Sequence, residues 1–249
     1  MIDFHSHILP GADDGAKSSA EAVEMLGESY QQGVRMVVST SHCYITEEES
    51  ISRFLEKRKH HAKRLFDALA ETDAPMPEIR LGAEVHMERD FSYFRGVEEL
   101  CIVGTNYILV EMPYQHWGGE LFDCLYSLKV RGFRPVLAHI ERYIVQDSIL
   151  KQLEELEVYF QFNAESFLRS PEKRFLTRLY EKNMIHFLGS DMHDPISRPT
   201  YMQAAKEAIQ KKYGMEFWAY LENNAVCALK NQPIEIKTFP KLGFWERFK

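Results

Sequence analysis

The sequence lacks the features of a secreted, membrane-spanning or disulfide-stabilised protein. Its four cysteines are scattered and form none of the Cys-x2-Cys pairs that are typical of zinc sites. We therefore expect free thiols in a reducing cytoplasm. No apolar run approaches the roughly 18 residues that a transmembrane helix needs. The first residues, Met-Ile-Asp, have neither the basic nor the apolar region of a signal peptide. These absences predict a cytoplasmic protein without a transmembrane segment.

An excess of positive charge is also absent. The chain has 30 Lys and Arg residues against 37 Asp and Glu residues, which gives a formal net charge of −7. Because binding to a nucleic-acid backbone depends on clustered cations, this balance argues against nucleic acid as a partner. An acidic protein can still bind a phosphate ester where metal ions supply positive charge locally.

What the sequence does contain is an alternation of short apolar segments with longer amphipathic ones, over a length of 249 residues that suits a single α/β barrel. The predicted strands are 1–5, 35–40, 78–85, 107–111, 135–139, 159–163 and 186–190. The predicted helices begin after Ser18, cover 47–69, 119–130 and 149–156, follow Ser170-Pro171, and cover about 200–212. Strands that alternate with helices predict right-handed βαβ units and a parallel sheet. The first turn lacks the Gly-x-Gly-x-x-Gly motif, which removes one reason to prefer an open sheet.

Polar, metal-competent side chains lie at or just after the end of nearly every predicted strand. In chain order they are His5 and His7, His42, Glu84, Glu111, His139, Asn163, and Asp191 with His193. In α/β barrels the catalytic groups come from the carboxyl ends of several strands, because those ends meet at one rim. This coincidence predicts a barrel with a metal site at that rim. The His-x-His pair alone is weak evidence, since a structural or surface role is commoner.

The chemistry of these residues limits which metal they suit. Glu84 and Glu111 lie in apolar segments, where an unpaired carboxylate is costly. The set combines imidazole nitrogen with carboxylate oxygen and includes no thiolate, which suits Mn²⁺, Fe or Zn²⁺ better than Ca²⁺ or Mg²⁺. The set is too large for one ion, so we expect two or three ions that share carboxylates and clamp the oxygens of a phosphoryl group.

Seven motifs together resemble a known family. They are HSH near the start, Asp14-Gly15, STSH ending at His42, GAE at Glu84, VEMP at Glu111, AHIERY around His139, and SDMH at 190–193. This combination resembles the polymerase-and-histidinol-phosphatase (PHP) superfamily over residues 1 to about 230. Within it, the chain is most similar to the manganese-dependent protein-tyrosine phosphatases of bacterial capsule and exopolysaccharide operons.

The resemblance implies a distorted seven-stranded (β/α) barrel over 1–233 with a trinuclear manganese site. It implies that one metal is held by His5, His7, Glu84 and Asp191, a second by Glu84, Glu111 and His139, and a third by Asp14, His42 and His193. Asp13 remains an alternative to Asp14. The resemblance also assigns Arg142 and Arg198 to the substrate phosphate, and a guanidinium fork pairs well with two phosphate oxygens.

The implied function is hydrolysis of phosphotyrosine on a protein substrate. The implied substrate is a bacterial tyrosine kinase that regulates polysaccharide export. Direct attack by water is expected, because none of the four cysteines begins the Cys-x5-Arg loop of thiol-based phosphatases. Aromatic side chains in the rim loops are candidates to flank a phosphotyrosine ring: Tyr44, Tyr114, Trp117 and Tyr143. The alternatives are a phosphatase of histidinol phosphate or another small molecule, and a metal-binding module without catalysis. The extension 234–249 is expected to pack on the barrel, or to form an oligomer or membrane-surface contact.

Overall fold

The structure, a computed structural model, describes residues 1–114, 117–143, 146–169 and 173–243. The strands are β1 (Ile2–Ser6), β2 (Met36–Ser39), β3 (His42–Tyr44), β4 (Glu78–Leu81), β5 (Glu84–His86), β6 (Tyr107–Glu111), β7 (Arg134–Leu137), β8 (Tyr159–Asn163) and β9 (Phe187–Gly189). The α-helices are α1 (Ser19–Gln31), α2 (Glu49–Leu69), α3 (Gly119–Val130), α4 (Asp147–Glu155), α5 (Lys173–Glu181), α6 (Met202–Tyr213) and α7 (Met215–Leu229).

All the paired strands are parallel, which confirms the predicted α/β class. They form a three-stranded sheet in the order β1-β2-β4 and a six-stranded sheet in the order β3-β5-β6-β7-β8-β9. The prediction of seven strands was wrong, because the predicted strand 78–85 divides into β4 and β5 and an additional strand, β3, follows β2. Regular strand structure is interrupted after Ser39 and again at Gly82. The amide of Gly82 donates to the carbonyl of Ser39 at 2.8 Å. The two breaks therefore lie side by side, where the chain passes from the first sheet to the second.

The predicted barrel is not confirmed, because no single closed sheet forms among the described residues. β1 and β9 nevertheless lie next to each other. An isolated parallel bridge joins Ser6 to Met192, and the amide of Asp191 donates to the carbonyl of His5 at 2.8 Å. The end of β1 and the segment after β9 are thus held together, which brings the first and last site motifs into contact.

Apolar side chains form two separate buried clusters. The larger one includes the buried faces of the helices and the strand residues against which they pack. The smaller one contains Phe4, Val38, Tyr107, Val136 and Phe187, which come from strands of both sheets. Phe4 and Phe187 stack with ring centroids 4.2 Å apart. Both sheets thus contribute side chains to one shared interior.

Helix α1 begins as the sequence predicts. The hydroxyl of Ser18 accepts a hydrogen bond from the amide of Glu21 at 3.2 Å, which satisfies one of the free N–H groups of the first turn. The carboxylate of Glu21 accepts from the amide of Lys17 and not from that of Ser18. The predicted capping box is therefore present with its second bond moved by one residue.

Helix α7 was not predicted, and it packs on the end of the chain. Its buried face carries Phe217 and Tyr220, whose rings contact the ring of Phe239 at centroid distances of 5.1 and 5.2 Å. Residues 234–243 thus lie against the protein at this point. The rest of the predicted extension, the helix start at Ser170-Pro171 and His116 lie outside the described residues. No described helix has the length and apolar character that crossing a membrane requires.

Candidate metal centre

The nine predicted metal ligands gather at the carboxyl ends of the strands. Seven side chains in this set are buried: His5, His7, Glu84, Glu111, His139, Asp191 and His193. Asp14 lies at the exposed edge of the group, and His42 is half-buried. Because a parallel sheet places the ends of successive strands at one edge, residues far apart in sequence meet here. The spatial prediction from the strand ends therefore agrees with the structure.

Four ligand atoms face one another at the centre of the cluster. The Nε2 atoms of His5 and His7 are 3.1 Å apart, and each lies 3.3 Å from Oε2 of Glu84. Oδ1 of Asp191 is 3.6 Å from Nε2 of His5 and 3.4 Å from Nε2 of His7. Ligand atoms about 2.1 Å from one metal ion are separated by roughly 3.0 to 3.4 Å, so these spacings fit a shared cation.

The remaining predicted ligands extend the cluster on two sides. On one side, Nε2 of His139 lies 2.7 Å from Oε1 of Glu84 and 3.7 Å from Oε1 of Glu111. On the other side, Oδ1 of Asp14 is 3.3 Å from Nε2 of His42 and 3.4 Å from Nε2 of His193. His7 belongs to the same four-residue group as those three side chains. Glu84 thus touches the histidines of both flanks.

Asp13 has a different position from Asp14. Its Oδ2 lies 2.9 Å from Nδ1 of His7 and accepts from the amide of His42, and its Oδ1 accepts from the amide of Gly15. The carboxylate of Asp13 is therefore occupied by donors behind the cluster, while Asp14 contributes an oxygen to the cluster itself. Of the two aspartates left open by the sequence, the geometry favours Asp14 as the ligand.

Unpaired buried atoms support a cation at this position. Nδ1 of His42, Oε2 of Glu84 and Nε2 of His193 are buried and form no hydrogen bond. Nδ1 of His42 is 3.0 Å from Oε2 of Glu84, but the two atoms are not aligned as a hydrogen bond. Unsatisfied buried polar atoms are costly and need a partner. Nitrogen and carboxylate oxygen in this arrangement fit a divalent metal of the Mn²⁺, Fe or Zn²⁺ type.

The electrostatics of the cluster also favour a cation. Burial alone would lower the pKa of His5, but the negative charges of Glu84 and Asp191 outweigh it and raise that pKa. Burial and the nearby charge of His7 lower the pKa of His193 to about 4, so this imidazole is neutral at pH 7. The raised pKa of His5 reflects the negative potential of Glu84 and Asp191, which a metal ion would neutralise.

The two predicted phosphate-binding arginines lie at the edge of the cluster. Arg142 and Arg198 both donate to Oδ2 of Asp191, Arg198 at 2.8 Å. The side chain of Asn163 donates to the same oxygen at 2.8 Å. Both guanidinium groups remain about one-third exposed. They are thus anchored next to the ligands while part of each fork faces solvent.

Sequence reasoning missed other polar residues that support the cluster. Nδ1 of His86 lies 2.8 Å from Oε2 of Glu111, and His86 is not among the predicted ligands. Gln161 is fully buried and contacts His5. Two predicted ligands, His139 and Asp191, have positive φ angles of 32° and 53°. A positive φ is uncommon outside glycine, although Asp and His adopt it more readily than most residues, and it is concentrated at functional sites.

A thiol-based mechanism is unsupported by the positions of the cysteines. Burial raises the pKa of Cys43, Cys101 and Cys124 to about 12, so none of these three thiols ionises near neutral pH. None of the described residues that could hold a metal is a cysteine. A cleft of about 530 Å³ at the opposite end of β7 and β8, beside Arg134 and His186, contains none of the predicted site residues.

Comparison with known proteins decides the family. Residues 1–230 match the family model described as "Capsular polysaccharide synthesis, CpsB/CapC". The chain belongs to the CpsB/CapC family. The match covers every residue of the metal cluster and both arginines, and it agrees with the family resemblance that the sequence motifs indicated.

Relatives within the CpsB/CapC family are named as tyrosine-protein phosphatases. The chain is 33% identical to YwqE of Bacillus subtilis (strain 168) over 94% of this chain and 93% of that protein. It is 34% identical to CpsB of Streptococcus pneumoniae over 86% of this chain and 91% of that protein. The superposition with one solved structure covers 98% of this chain and 100% of the solved chain, with 30% identity and a TM-score of 0.80. That structure comes from work on YwqE and S. pneumoniae CpsB, described as "unique metal-dependent tyrosine phosphatases".

Proposed function

We propose that this protein is a metal-dependent protein-tyrosine phosphatase that acts in capsular polysaccharide synthesis. The central observation is the group of His5, His7 and Glu84, whose ligand atoms lie 3.1 to 3.3 Å from one another, a spacing that suits one divalent cation. Oδ1 of Asp191 lies 3.4 to 3.6 Å from the two histidines. CpsB/CapC relatives with the same reported activity support the assignment.

The remaining ligands support a site for two or three manganese ions. Glu84 would bridge from the first ion to a second, which Glu111 and His139 would also hold. Asp14, His42 and His193 would hold a third. Bound ions would supply Lewis acidity and would lower the pKa of water at this site. Manganese is proposed because the ligands mix imidazole and carboxylate without thiolate.

Arg142 and Arg198 are proposed to bind the substrate phosphate. Each donates to Asp191, so their guanidinium groups are held beside the cluster, and both side chains are about one-third exposed. A guanidinium fork offers two parallel donors to phosphate oxygens and does not lose its charge. These two side chains would orient the ester and balance the charge that develops on the transferring phosphoryl group.

The aromatic side chains at the rim support an aromatic leaving group. Tyr44 is exposed, yet its ring lies 5.7 Å from that of His42 and 5.5 Å from that of His86. Tyr114, also exposed, lies 5.8 Å from the buried ring of Tyr143. Rings at these positions would flank the phenyl ring of phosphotyrosine by stacking or edge contacts.

The natural substrate is proposed to be a phosphotyrosine-bearing bacterial kinase that regulates polysaccharide export, encountered in the cytoplasm. We also propose that the two sheets behave as one distorted barrel. Two observations support this: both sheets line one interior cluster, and β1 is bridged to the segment after β9. Such a barrel would explain why all ligands converge at one rim.

Substrate selectivity tests the proposal. Manganese-loaded protein is assayed with a phosphotyrosyl peptide, the corresponding phosphoseryl peptide and histidinol phosphate. We expect kcat/KM for the phosphotyrosyl peptide to exceed the other two by at least about tenfold, since only that substrate offers a ring to the rim aromatics. A preference for histidinol phosphate would instead assign a small-molecule phosphatase.

An arginine pair provides the matched control. Arg142→Ala should lower kcat/KM for the phosphotyrosyl peptide by roughly 100-fold or more, because a phosphate-binding donor is lost. Arg134→Ala removes a partly buried arginine at the opposite ends of the strands, where it donates to Asn231 at 2.9 Å. That variant should keep wild-type kcat/KM. Equal losses in both variants would remove the special role of Arg142.

A further inference from the structure

A buried glutamine lies directly behind the first metal position. Gln161 is in β8, and its side chain is 0% exposed among the ends of the strands. Its Oε1 is 2.9 Å from the amide nitrogen of His139 and 3.0 Å from Nδ1 of His5. A fully buried amide in a strand otherwise rich in phenylalanine is costly unless its polar atoms are paired. The contacts of Gln161 are therefore informative about its role.

The orientation of this amide follows from the backbone. A peptide N–H can only donate, so the Gln161 atom next to the amide of His139 must be the oxygen. The same oxygen faces Nδ1 of His5, which must therefore carry a proton to complete the second hydrogen bond. In a neutral imidazole, a proton on Nδ1 leaves the lone pair on Nε2. Nε2 of His5 is the atom that faces Glu84 and Asp191.

The amide nitrogen of Gln161 begins a second series of hydrogen bonds, which leads through Asn163 to Asp191. That NH₂ group donates to Oδ1 of Asn163 at 3.0 Å. The NH₂ group of Asn163 then points the other way and donates to Oδ2 of Asp191 at 2.8 Å. Because each amide has one acceptor and one donor end, the orientation of Asn163 is set by that of Gln161. This series of hydrogen bonds leaves Oδ1 of Asp191 directed at His5 and His7.

We infer that Gln161 is a positioning residue that selects the metal-binding tautomer of His5 and, through Asn163, directs Asp191. The inference rests on the proposed metal centre and deepens it. A single buried side chain thereby orients two ligands of the same cation that lie 186 positions apart in sequence. Outer partners of this kind fix the direction of ligand atoms before the metal arrives, and their loss weakens metal binding.

The test compares two fully buried amides. Gln161→Leu removes the acceptor behind His5 and keeps a similar volume. Asn224→Leu removes an equally buried amide that donates to the carbonyl of His186, at the opposite end of β9. Metal affinity is measured by titration of Mn²⁺ and Zn²⁺ against a chelating indicator. We expect Gln161→Leu to weaken the tightest site by about 10- to 100-fold, and Asn224→Leu by less than about threefold.

Two further variants separate positioning from packing. Gln161→Glu keeps an oxygen toward His5 and His139 but removes the donor to Asn163, so it should lose less affinity than Gln161→Leu and about as much as Asn163→Ala. Asn163→Ala leaves the bond from His5 to Gln161 intact but removes one donor to Asp191, so we expect a smaller loss than with Gln161→Leu. If Gln161→Leu does not fold, these two variants carry the test. Equal affinities of wild type, Gln161→Leu and Asn163→Ala would overturn the inference, as would equal losses in Gln161→Leu and Asn224→Leu.

A spectroscopic readout reports the tautomer directly. In the zinc form, which is diamagnetic, nitrogen-15 spectra of the imidazole rings should show His5 with a protonated Nδ1 in wild type and in Gln161→Glu. Gln161→Leu should shift or lose that proton signal. A protonated Nε2 on His5 in the zinc form would contradict the inference. None of these readouts involves a phosphate ester, so absence of phosphatase activity would refute the proposed function while leaving the role of Gln161 intact.

Discussion

Replacing Gly189 by alanine should distort the metal centre, because the end of β9 has no room for a side chain. A Cβ atom built on Gly189 would lie 2.5 Å from Cβ of His5 and 2.9 Å from Nε2 of Gln161. Ordinary contacts of this kind begin near 3.4 Å, so one neighbour must move by about 0.9 Å. The nearest neighbour is His5 itself, the residue of β1 that is proposed as a ligand of the first metal.

The size of the effect follows from this overlap. Overpacking a close-packed interior costs about 1 to 3 kcal/mol, which in a protein of this size corresponds to a fall in Tm of roughly 2 to 12 °C. The ligand atoms of the first group are only 3.1 to 3.6 Å apart. Since a displacement of about 1 Å at a functional site costs on the order of 100-fold, we expect metal affinity and kcat/KM to fall by roughly that factor.

The assay compares Gly189→Ala with Gly119→Ala, at a position where an added Cβ meets nothing within 4 Å. Thermal unfolding of the metal-free proteins reports the steric cost, and chelator competition reports metal affinity. Gly119→Ala should match wild type in both measurements. Wild-type metal affinity in Gly189→Ala, with a Tm equal to that of Gly119→Ala, would refute the reasoning.

Three other perturbations have defined outcomes. Glu84→Gln removes the carboxylate that contacts the histidines on both sides of the cluster, so we expect metal affinity to fall by more than about 100-fold. Elemental analysis after dialysis measures the retained metal, and a wild-type metal content would contradict a bridging role. Burial lowers the pKa of His186 to about 3 in the folded protein. Below pH 6.5 this histidine is therefore protonated in the unfolded chain but not in the folded protein, so the folded protein loses stability as the pH falls. Denaturant unfolding of metal-free protein should lose about 2 kcal/mol between pH 7 and pH 5 from this group, and His186→Asn should lack that loss. Phe239→Ala should lower the free energy of unfolding by about 3 kcal/mol because its ring packs on Phe217 and Tyr220, whereas Ile236→Ala, at a half-exposed side chain, should change it by less than about 0.5 kcal/mol.

The sequence predicted which polar residues would lie together better than it predicted the strand boundaries. His5, Glu111 and His139 were identified because each ends a short apolar segment, and parallel strands bring such ends together. The break at Gly82 was not predicted, because the apolar pattern continues through it. What interrupts pairing there is the adjacent break after Ser39, a tertiary feature that one segment does not encode.

Residues that act through another residue were the hardest to identify. Gln161 lies in the segment Tyr-Phe-Gln-Phe-Asn, whose alternation indicates only a strand. Its role depends on which atoms of His5 and His139 it meets, and those come from distant strands. Asp13 and Asp14 were likewise indistinguishable by type, and only the direction of each carboxylate separates them. Helix α7 was missed although its apolar residues recur at helical spacing.

Stepwise return of manganese to metal-free protein tests the central claim most directly. Protein is exhaustively chelated, its metal content is verified by elemental analysis, and kcat/KM for a phosphotyrosyl peptide is measured after each added equivalent. A cluster of two or three ions predicts that activity is abolished without metal and restored only after two or three equivalents are bound. Full activity in protein with confirmed metal loss would contradict the account.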